Sequence, residues 1–406
     1  MDGTRVVDQD GALRLPEELR RWGLTPGAGF QIEETADGLL LRPADPPLRK
    51  VYVEPTTACN LNCPICIRHS WDEPGGTMAM ATYRRLVEGL REAPALQTVA
   101  FWGLGEPLLH PHIAKMVALA GELGARTELI TNGLLLDQEM AEGLVQAGLD
   151  TLVISVDGAS PEAHVGIRAE ADLRLVQQNV GHLLALRRMN PRGTPEIGLE
   201  FVATRRNLSE LPNLRRLAHS LEASFVVVTN VLPYAREFKD EILYFLSAGS
   251  PHPRTRSRWY PEFVLPRMDA RPEVLEPLLG LLRHGGTINP LLGRPDSANG
   301  YCRFVREGAV AVAWDGGVSP CIALMHSYTC YILGREKAIR RYAVGNVNDE
   351  AITRLYFRAR VVEFDFSPCA DCGGCQYAES NEEDCVGNEF PVCGDCLWAR
   401  GIILCP

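Results

Sequence analysis

Between Lys50 and about Asn230 the chain alternates short apolar runs with longer segments whose apolar residues recur every three or four positions. The runs fall at Val51–Val53, Val99–Trp102, Leu129–Thr131, Leu152–Ser155, Ile197–Val202 and Phe225–Val228. Unbroken apolar runs of this length suit strands buried on both faces. The helical periods between them, such as Tyr83–Arg91, His112–Gly124, Glu139–Ala147 and Leu173–Arg188, suit helices laid over a parallel sheet. Six such units predict an α/β fold, a partial (β/α)6 barrel over 49–232 rather than a closed eight-fold one. Reactive groups are then expected at the C-terminal ends of the strands.

The pattern differs on either side. Residues 1–48 give a short helical stretch at Glu17–Trp22 and strand-like pieces at Phe30–Ile32 and Gly38–Leu41, predicting a small β-rich module that ends in a Pro-rich joint, Pro43–Pro47. Residues 233–300 are rich in Pro, Arg and aromatics, with one helical piece at Pro272–Leu282, and are read as a connecting, substrate-facing segment. Residues 301–406 carry cysteine, Gly and short strands and are expected to fold around metal.

Composition narrows the classes. With 406 residues, 46% of them hydrophobic, the chain can bury a real core, and nowhere do about 18 apolar residues run together as a membrane helix requires. The start, Met1-Asp2-Gly3-Thr4-Arg5, lacks the basic-then-apolar order of an export signal, so a cytoplasmic protein is expected. A net charge of -10 makes nucleic acid a poor main partner. The 13 cysteines fall in two groups, three within 59–66 and ten from 302 to 405. In a reducing compartment such clusters are metal ligands or redox groups more often than disulfides.

The first group, Cys59-Asn60-Leu61-Asn62-Cys63-Pro64-Ile65-Cys66, follows the first barrel strand directly. A [4Fe–4S] cluster takes four thiolates, so three ligands leave one iron open to a small molecule. A structural zinc knuckle with His69 as fourth ligand is the alternative that spacing alone leaves open.

This motif resembles that of the radical S-adenosylmethionine (radical SAM) enzymes. The resemblance implies that Cys59, Cys63 and Cys66 hold a catalytic [4Fe–4S] cluster whose open iron chelates the methionyl amino and carboxylate groups. It further implies that reduction cleaves the sulfonium, giving a 5′-deoxyadenosyl radical that abstracts hydrogen from a protein or peptide substrate. The backbone of Ile65 is expected beside the adenine. Gly103-Leu104-Gly105-Glu106-Pro107 is similar to the family's Gly-Gly-Glu motif, with Leu104 in place of the first glycine. By that likeness Glu106 accepts from the methionyl ammonium and Gly105 allows close backbone approach. Ser155-Val156-Asp157-Gly158, with Arg168 further on, resembles the Ser-x-Asp-Gly segment of the branch that carries a SPASM domain. Ser155 and Asp157 are implied at the ribose or methionyl group and Arg168 at the carboxylate. Asn132 fits the third strand's edge in the same pattern, and Glu200 a position on the adenine and ribose side. Without the resemblance, Asp157-Gly158 and Asn132-Gly133 read as turns.

The C-terminal spacing Cys302-x13-Gly316-x4-Cys321 resembles the opening of a SPASM domain, the extension that carries auxiliary clusters. Cys369-x2-Cys372-x2-Cys375-x9-Cys385 and Cys393-x2-Cys396-x8-Cys405 follow, and their middle spacing departs from the family's pattern. Two auxiliary [4Fe–4S] clusters need eight thiolates, for which these nine are the candidates. The isolated Cys330 is expected as a packed thiol rather than a ligand, with a radical-relay or proton-donor role as its alternative, and a zinc ribbon is the alternative for this segment.

Residues 1–48 resemble the AbrB-type swapped hairpin, a dimerising DNA-binding module, yet hold five arginines against nine acidic residues. That balance favours docking or homodimerisation over DNA. The whole looks most like the radical maturases associated with tungsten-containing aldehyde oxidoreductases. The likeness implies S-adenosylmethionine as cofactor, a tungstopterin oxidoreductase or companion polypeptide as partner, and an electron donor such as ferredoxin or flavodoxin. The alternatives are an enzyme that installs a thioether or oxidised crosslink in a precursor peptide and, in another class, a zinc- and DNA-binding regulator.

Overall fold

The computed structural model describes strands at 30–35 and 38–43 and residues 46–71, 73–161, 168, 171–243, 262–264, 272–282, 288–289, 302–332, 335–361, 396–398 and 402–404. Strands β1 (Phe30–Thr35) and β2 (Gly38–Pro43) pair antiparallel as a hairpin where two short strands were expected.

The six apolar runs become β3 (Lys50–Val53), β4 (Thr98–Phe101), β5 (Arg126–Thr131), β6 (Thr151–Ser155), β7 (Glu196–Ala203) and β8 (Phe225–Asn230). Each lies parallel to the next, in chain order. Helices α1 (Met80–Leu90), α2 (Ile113–Gly121), α3 (Gln138–Gln146), α4 (Leu173–Met189) and α5 (Leu211–Ser220) make the return crossings. Local chemistry starts two of them: Asp137 accepts from Met140 N at 2.9 Å and Asp172 from Arg174 N at 2.9 Å, each supplying an acceptor to an otherwise unpaired helix-end amide.

Strand alternation divides the core. Val51, Val53, Val99, Phe101, Leu129, Leu152 and Ile154 join the helices in one large apolar cluster. Their neighbours Tyr52, Ala100, Ile130, Val153 and Val227 belong to smaller clusters on the opposite, inner face. Each fully buried aliphatic side chain contributes about 1.5–3 kcal/mol. Gly198 is on the inner face because the Phe225 ring takes its space: a Cβ there would come within 2.2 Å of Phe225 Cζ.

The sheet continues beyond the six strands on both sides, to eleven in all among the described residues. Beyond β8 lie β9 (Glu262–Val264) and β10 (Ile288–Asn289), both parallel, with α6 (Pro272–Leu282) between them in sequence and packed on α5. The described parts of 233–300 therefore extend the βα alternation, where the sequence suggested only a connection. Strands of two or three residues carry no periodic signal, and the Pro- and Arg-rich surroundings hide them.

At the other edge, α7 (Arg303–Glu307) leads into β11 (Ala309–Val312), which pairs parallel with β3 and antiparallel with β12 (Gly317–Ser319). Strands β13 (Tyr328–Ile332) and β14 (Arg335–Ile339) form a separate hairpin. Strand β15 (Gly345–Asn346) then closes the sheet edge beside β12, and α8 (Ile352–Val361) packs on α1. The described residues of 309–346 are thus continuous with the barrel sheet through β11, β12 and β15. No helix among the described residues is long and apolar enough to cross a membrane.

Candidate active site

The cysteine loop leaves β3 and is pinched at its base by threonines. Thr57 N donates to Gly76 O at 2.9 Å, Gly76 N donates back to Thr57 Oγ1 at 2.8 Å, and Thr56 Oγ1 lies 2.9 Å from Thr77 Oγ1. Within the loop Cys66 N donates to Cys63 O at 3.0 Å, and a short 3-10 helix, Ile67–His69, begins after Cys66. Cys59 Sγ accepts from Leu61 N at 3.4 Å and Cys66 Sγ from Arg68 Nε at 3.4 Å. Arg68 also donates to the Leu61 carbonyl. The sequence reading passed over Arg68, although a cation two residues beyond the last cysteine was a visible signal.

Burial pushes the Cys63 thiol up to about 11, against the pull of Arg168, with Asp157 and the other two thiols adding to the rise. Burial raises Cys59 as well. Thiolates are therefore costly here without a cation to bind them. Among the described residues no three His, Cys, Asp or Glu side chains converge tightly enough to share one ion. Three thiols in one loop are a donor set that a multi-iron cluster can use, each thiolate taking a different iron. His69 Nε2 is 3.1 Å from the Cys63 carbonyl oxygen.

The loop after β4 lies against this one. Gly105 is required by contact, since a Cβ would stand 2.3 Å from Thr56 O and 2.5 Å from Ala58 O, and Glu106 N donates to Ala58 O at 2.7 Å. The Glu106 carboxylate, 2% exposed, is aimed by its own chain. Its Oε1 accepts from Thr131 Oγ1 at 2.7 Å and Leu108 N at 3.0 Å, and its Oε2 from Asn132 N at 2.8 Å. A carboxylate offers about four acceptor positions, so about one remains for a ligand. Burial raises its pKa in spite of these three bonds. Asn132 Nδ2 donates to Asn60 Oδ1 at 2.8 Å, joining the loop after β5 to the cysteine loop.

From the end of β6 to the middle of β7, Ser155 Oγ donates to Glu200 Oε2 at 2.9 Å. Arg168 Nε donates to Asp157 Oδ2 at 2.7 Å, and Asp157 Oδ1 accepts from Val202 N at 3.0 Å. Both Asp157 oxygens are thus engaged by the protein, which makes Asp157 the group that orients Arg168. Burial pushes Glu200 up to about 7, although Ser155 and Arg168 pull it down, and Asp157 adds to the rise.

These side chains share one cavity of about 250 Å³. Its wall carries Cys59, Cys63, Ile65 and Cys66 from the cysteine loop and Gly105, Glu106 and Asn132 from the next two loops. Ser155, Asp157, Arg168 and Glu200 complete the polar side. Three carboxylates and three thiols face Arg68 and Arg168 across this lining, so it offers both acceptors and cationic donors to a ligand. The opposite wall is apolar and was not legible in advance: Trp102, Tyr234, Tyr328, Trp398 and Leu404 line it. The C-terminal stretch is held there by Leu404 N donating to Thr229 Oγ1 at 2.8 Å and Asn230 Nδ2 donating to Ile402 O at 3.1 Å.

Behind this wall, Cys302 and Cys321 share an apolar cluster with Trp398. Burial raises the Cys321 thiol well above its ordinary range, and the nearby Cys302 and Cys396 raise it further. Cys330, 1% exposed, lies in an apolar cluster with Tyr328, against which Cys321 and Trp398 also pack. Cys369, Cys372, Cys375, Cys385, Cys393 and Cys405 lie outside the described residues.

Comparison with known proteins gives this arrangement its class. The radical SAM superfamily pattern matches residues 53–224, and the SPASM iron–sulfur cluster-binding domain matches residues 302–376. A Pyrococcus furiosus protein is 30% identical over 369 residues, covering 88% of this chain and 97% of its own length. The chain belongs to the radical SAM superfamily and is an enzyme of its SPASM-containing branch, with S-adenosylmethionine and [4Fe–4S] clusters as cofactors. The Pyrococcus protein is the tungsten-containing aldehyde ferredoxin oxidoreductase cofactor-modifying protein. The PqqA peptide cyclase of Gluconobacter oxydans is 32% identical over 199 residues, 48% of this chain and 52% of its own. The crystal structure of Streptococcus suis SuiB bound to S-adenosylmethionine shares the fold, with a TM-score of 0.53 at 12% identity over 80% of this chain and 68% of its own.

Proposed function

We propose that this enzyme acts in the maturation of a tungsten-containing aldehyde oxidoreductase, taking that protein or a small companion polypeptide as its substrate. The observation that carries the reading is the Pyrococcus relative, matched along 97% of its length. We further propose that Cys59, Cys63 and Cys66 hold the catalytic cluster, with Cys302, Cys321 and Cys396 among the ligands of an auxiliary one. Bound together, the cluster and S-adenosylmethionine supply a one-electron cleavage of the sulfonium and a carbon radical that removes hydrogen from an unactivated C–H bond.

The chain's own residues bind and orient. Glu106, fixed by Thr131, Leu108 N and Asn132 N, accepts from the methionyl ammonium with its remaining acceptor position. Arg168, held by Asp157, pairs with the methionyl carboxylate through its planar guanidinium. Ser155 and Glu200 face the ribose, and the Ile65 backbone lies by the adenine. The wall of Trp102, Tyr328, Trp398 and Leu404 excludes water from the reacting atoms. A ferredoxin or flavodoxin supplies the electron, and the N-terminal module serves docking or dimerisation.

A second reading, crosslinking of a ribosomal precursor peptide, draws on the match to the PqqA peptide cyclase. Capture of the tagged enzyme from its host without oxygen, followed by mass spectrometry, separates the two. Enrichment of a large tungstopterin oxidoreductase, with or without a small polypeptide beside it, supports maturation, and enrichment of a short precursor peptide with no such oxidoreductase overturns it in favour of the second reading.

A further inference from the structure

A charged cluster outside the cofactor cavity lies behind the Gly103–Pro107 loop. Glu54, the residue after β3, is wholly buried. Its Oε1 accepts from Leu104 N at 3.2 Å, and its Oε2 from Trp314 N at 3.4 Å. That same Oε2 is 2.9 Å from His326 Nε2. On the far side of the ring, His326 Nδ1 is 3.0 Å from Glu73 Oε2, and Glu73 Oε1 accepts from Ser327 N at 2.6 Å. The Trp71 ring lies against the imidazole with centroids 4.4 Å apart, and His326 is 2% exposed.

A neutral imidazole has one N–H, so a ring with a carboxylate oxygen on each nitrogen bonds both only as the doubly protonated cation. A buried cation between two carboxylates is compensated, whereas His326 or Glu54 left alone in this interior is not; Glu73, at the outer end, is partly exposed. The arrangement is therefore a unit, and its placement gives it a use. Glu54 precedes the cysteine loop and Glu73 follows it, so the cation fastens both ends of the segment that carries Cys59, Cys63 and Cys66. Leu104, whose amide Glu54 holds, is two residues before Glu106. His326 itself follows Ile322 and Ala323, which line the cavity.

We propose that His326 is a positioning residue: bridging Glu54 and Glu73, it fixes the Gly103–Pro107 loop so that Glu106 meets the ammonium of S-adenosylmethionine. It thereby makes the C-terminal region part of the cofactor site without touching the cofactor. The inference rests on the reading of Glu106 given above.

The test uses the cluster-loaded enzyme without reductant, with S-adenosylmethionine alone as the probe, in His326→Gln, Glu54→Gln, the double variant and Glu106→Gln. Glutamine at 326 carries no charge and donates from one end only. Equilibrium dialysis reads affinity, and hydrogen exchange reads the amides of 102–108. The expected result is about tenfold weaker binding in each single variant of the clamp, the scale of one charge-assisted contact. The double variant is expected to bind no more weakly than either single, with faster exchange at Leu104 and unchanged iron per chain. Wild-type affinity in iron-loaded His326→Gln or Glu54→Gln, or fully additive losses in the double variant, overturns the clamp. Should His326→Gln fail to load iron, Glu54→Gln decides by the same measurements. Glu106→Gln binding as tightly as wild type overturns the assignment of Glu106 itself, whereas weak binding by Glu106→Gln beside tight binding by the clamp variants overturns the clamp alone.

Discussion

Asn132 and Asn60 meet across 72 residues of sequence, the Asn132 amide donating to Asn60 Oδ1 at 2.8 Å, in the space between the loop after β5 and the cysteine loop. The backbone N–H of the same Asn132 holds Glu106. One residue thus links the segment proposed to bind the cluster to the carboxylate proposed to bind the methionyl ammonium. Asn132→Ala removes the side-chain link, together with the bond that its Oδ1 accepts from Leu134 N at 3.0 Å, and keeps the backbone one. It should cost about 1 kcal/mol of stability and speed the loss of catalytic-site iron to a chelator, with Glu106 still aimed. Iron release at the wild-type rate would show that the link does not restrain the cysteine loop.

Gly198 and Phe225 make a second pair whose fit can be tested. A methyl group at 198 would meet three atoms of the Phe225 ring, the nearest at 2.2 Å, so Gly198→Ala should destabilise by about 1–3 kcal/mol. Because the obstacle is one ring, Phe225→Leu in the same chain should recover much of the loss. Denaturant unfolding of the two single variants and the double variant measures the coupling, and strict additivity would mean that the ring is not the obstacle.

The central fold was readable because strands buried on both faces write themselves as apolar runs, as β3, β4, β6 and β8 do, while β5 and β7 keep shorter apolar runs beside Arg126, Glu128, Glu196 and Glu200. β9 and β10, of three and two residues, leave no such mark. The polar side of the cavity was readable for a related reason: Cys59, Glu106, Asn132 and Ser155 stand at or just beyond strand ends, where a parallel sheet gathers its loops, and Glu200 is a carboxylate inside the otherwise apolar run of β7. The apolar wall depends on closure at long range and could not be read. Leu404 reaches Thr229 from 175 residues away, and His326 reaches Glu54 from 272 away. The proximity of Cys302, Cys321 and Cys396 has the same origin, since spacing along the chain does not say which thiols the fold brings together.

Glu200 predicts a pH dependence with a definite sign. Burial, with Asp157, raises its folded value to about 7 against the pull of Ser155 and Arg168, so the folded protein holds this proton more tightly than the unfolded chain does. The resulting stability is fully present below the ordinary carboxylate value of about 4.3 and is lost as pH rises to about 7, levelling off above it. Glu200→Gln removes the titration and keeps an acceptor for Ser155. The Tm of the variant relative to wild type should therefore climb from pH 5 to pH 8 in enzyme without S-adenosylmethionine. Parallel Tm curves across that range would refute the shift.

The assignment of the first three cysteines makes the plainest prediction. Three [4Fe–4S] cubes contain about twelve irons per chain, and Cys59→Ala should bring a reconstituted preparation down to about eight. The variant should form no 5′-deoxyadenosine from S-adenosylmethionine and dithionite, because the auxiliary clusters are expected to be fully ligated and to offer no open iron. Cys330→Ala provides the contrast: Cys330 packs in the apolar cluster with Tyr328 and Leu324, so its loss should lower Tm while leaving iron content and cofactor cleavage near wild type. Cleavage at the wild-type rate in Cys59→Ala would remove Cys59 from the catalytic site, and loss of about four irons in Cys330→Ala would place that thiol among the ligands.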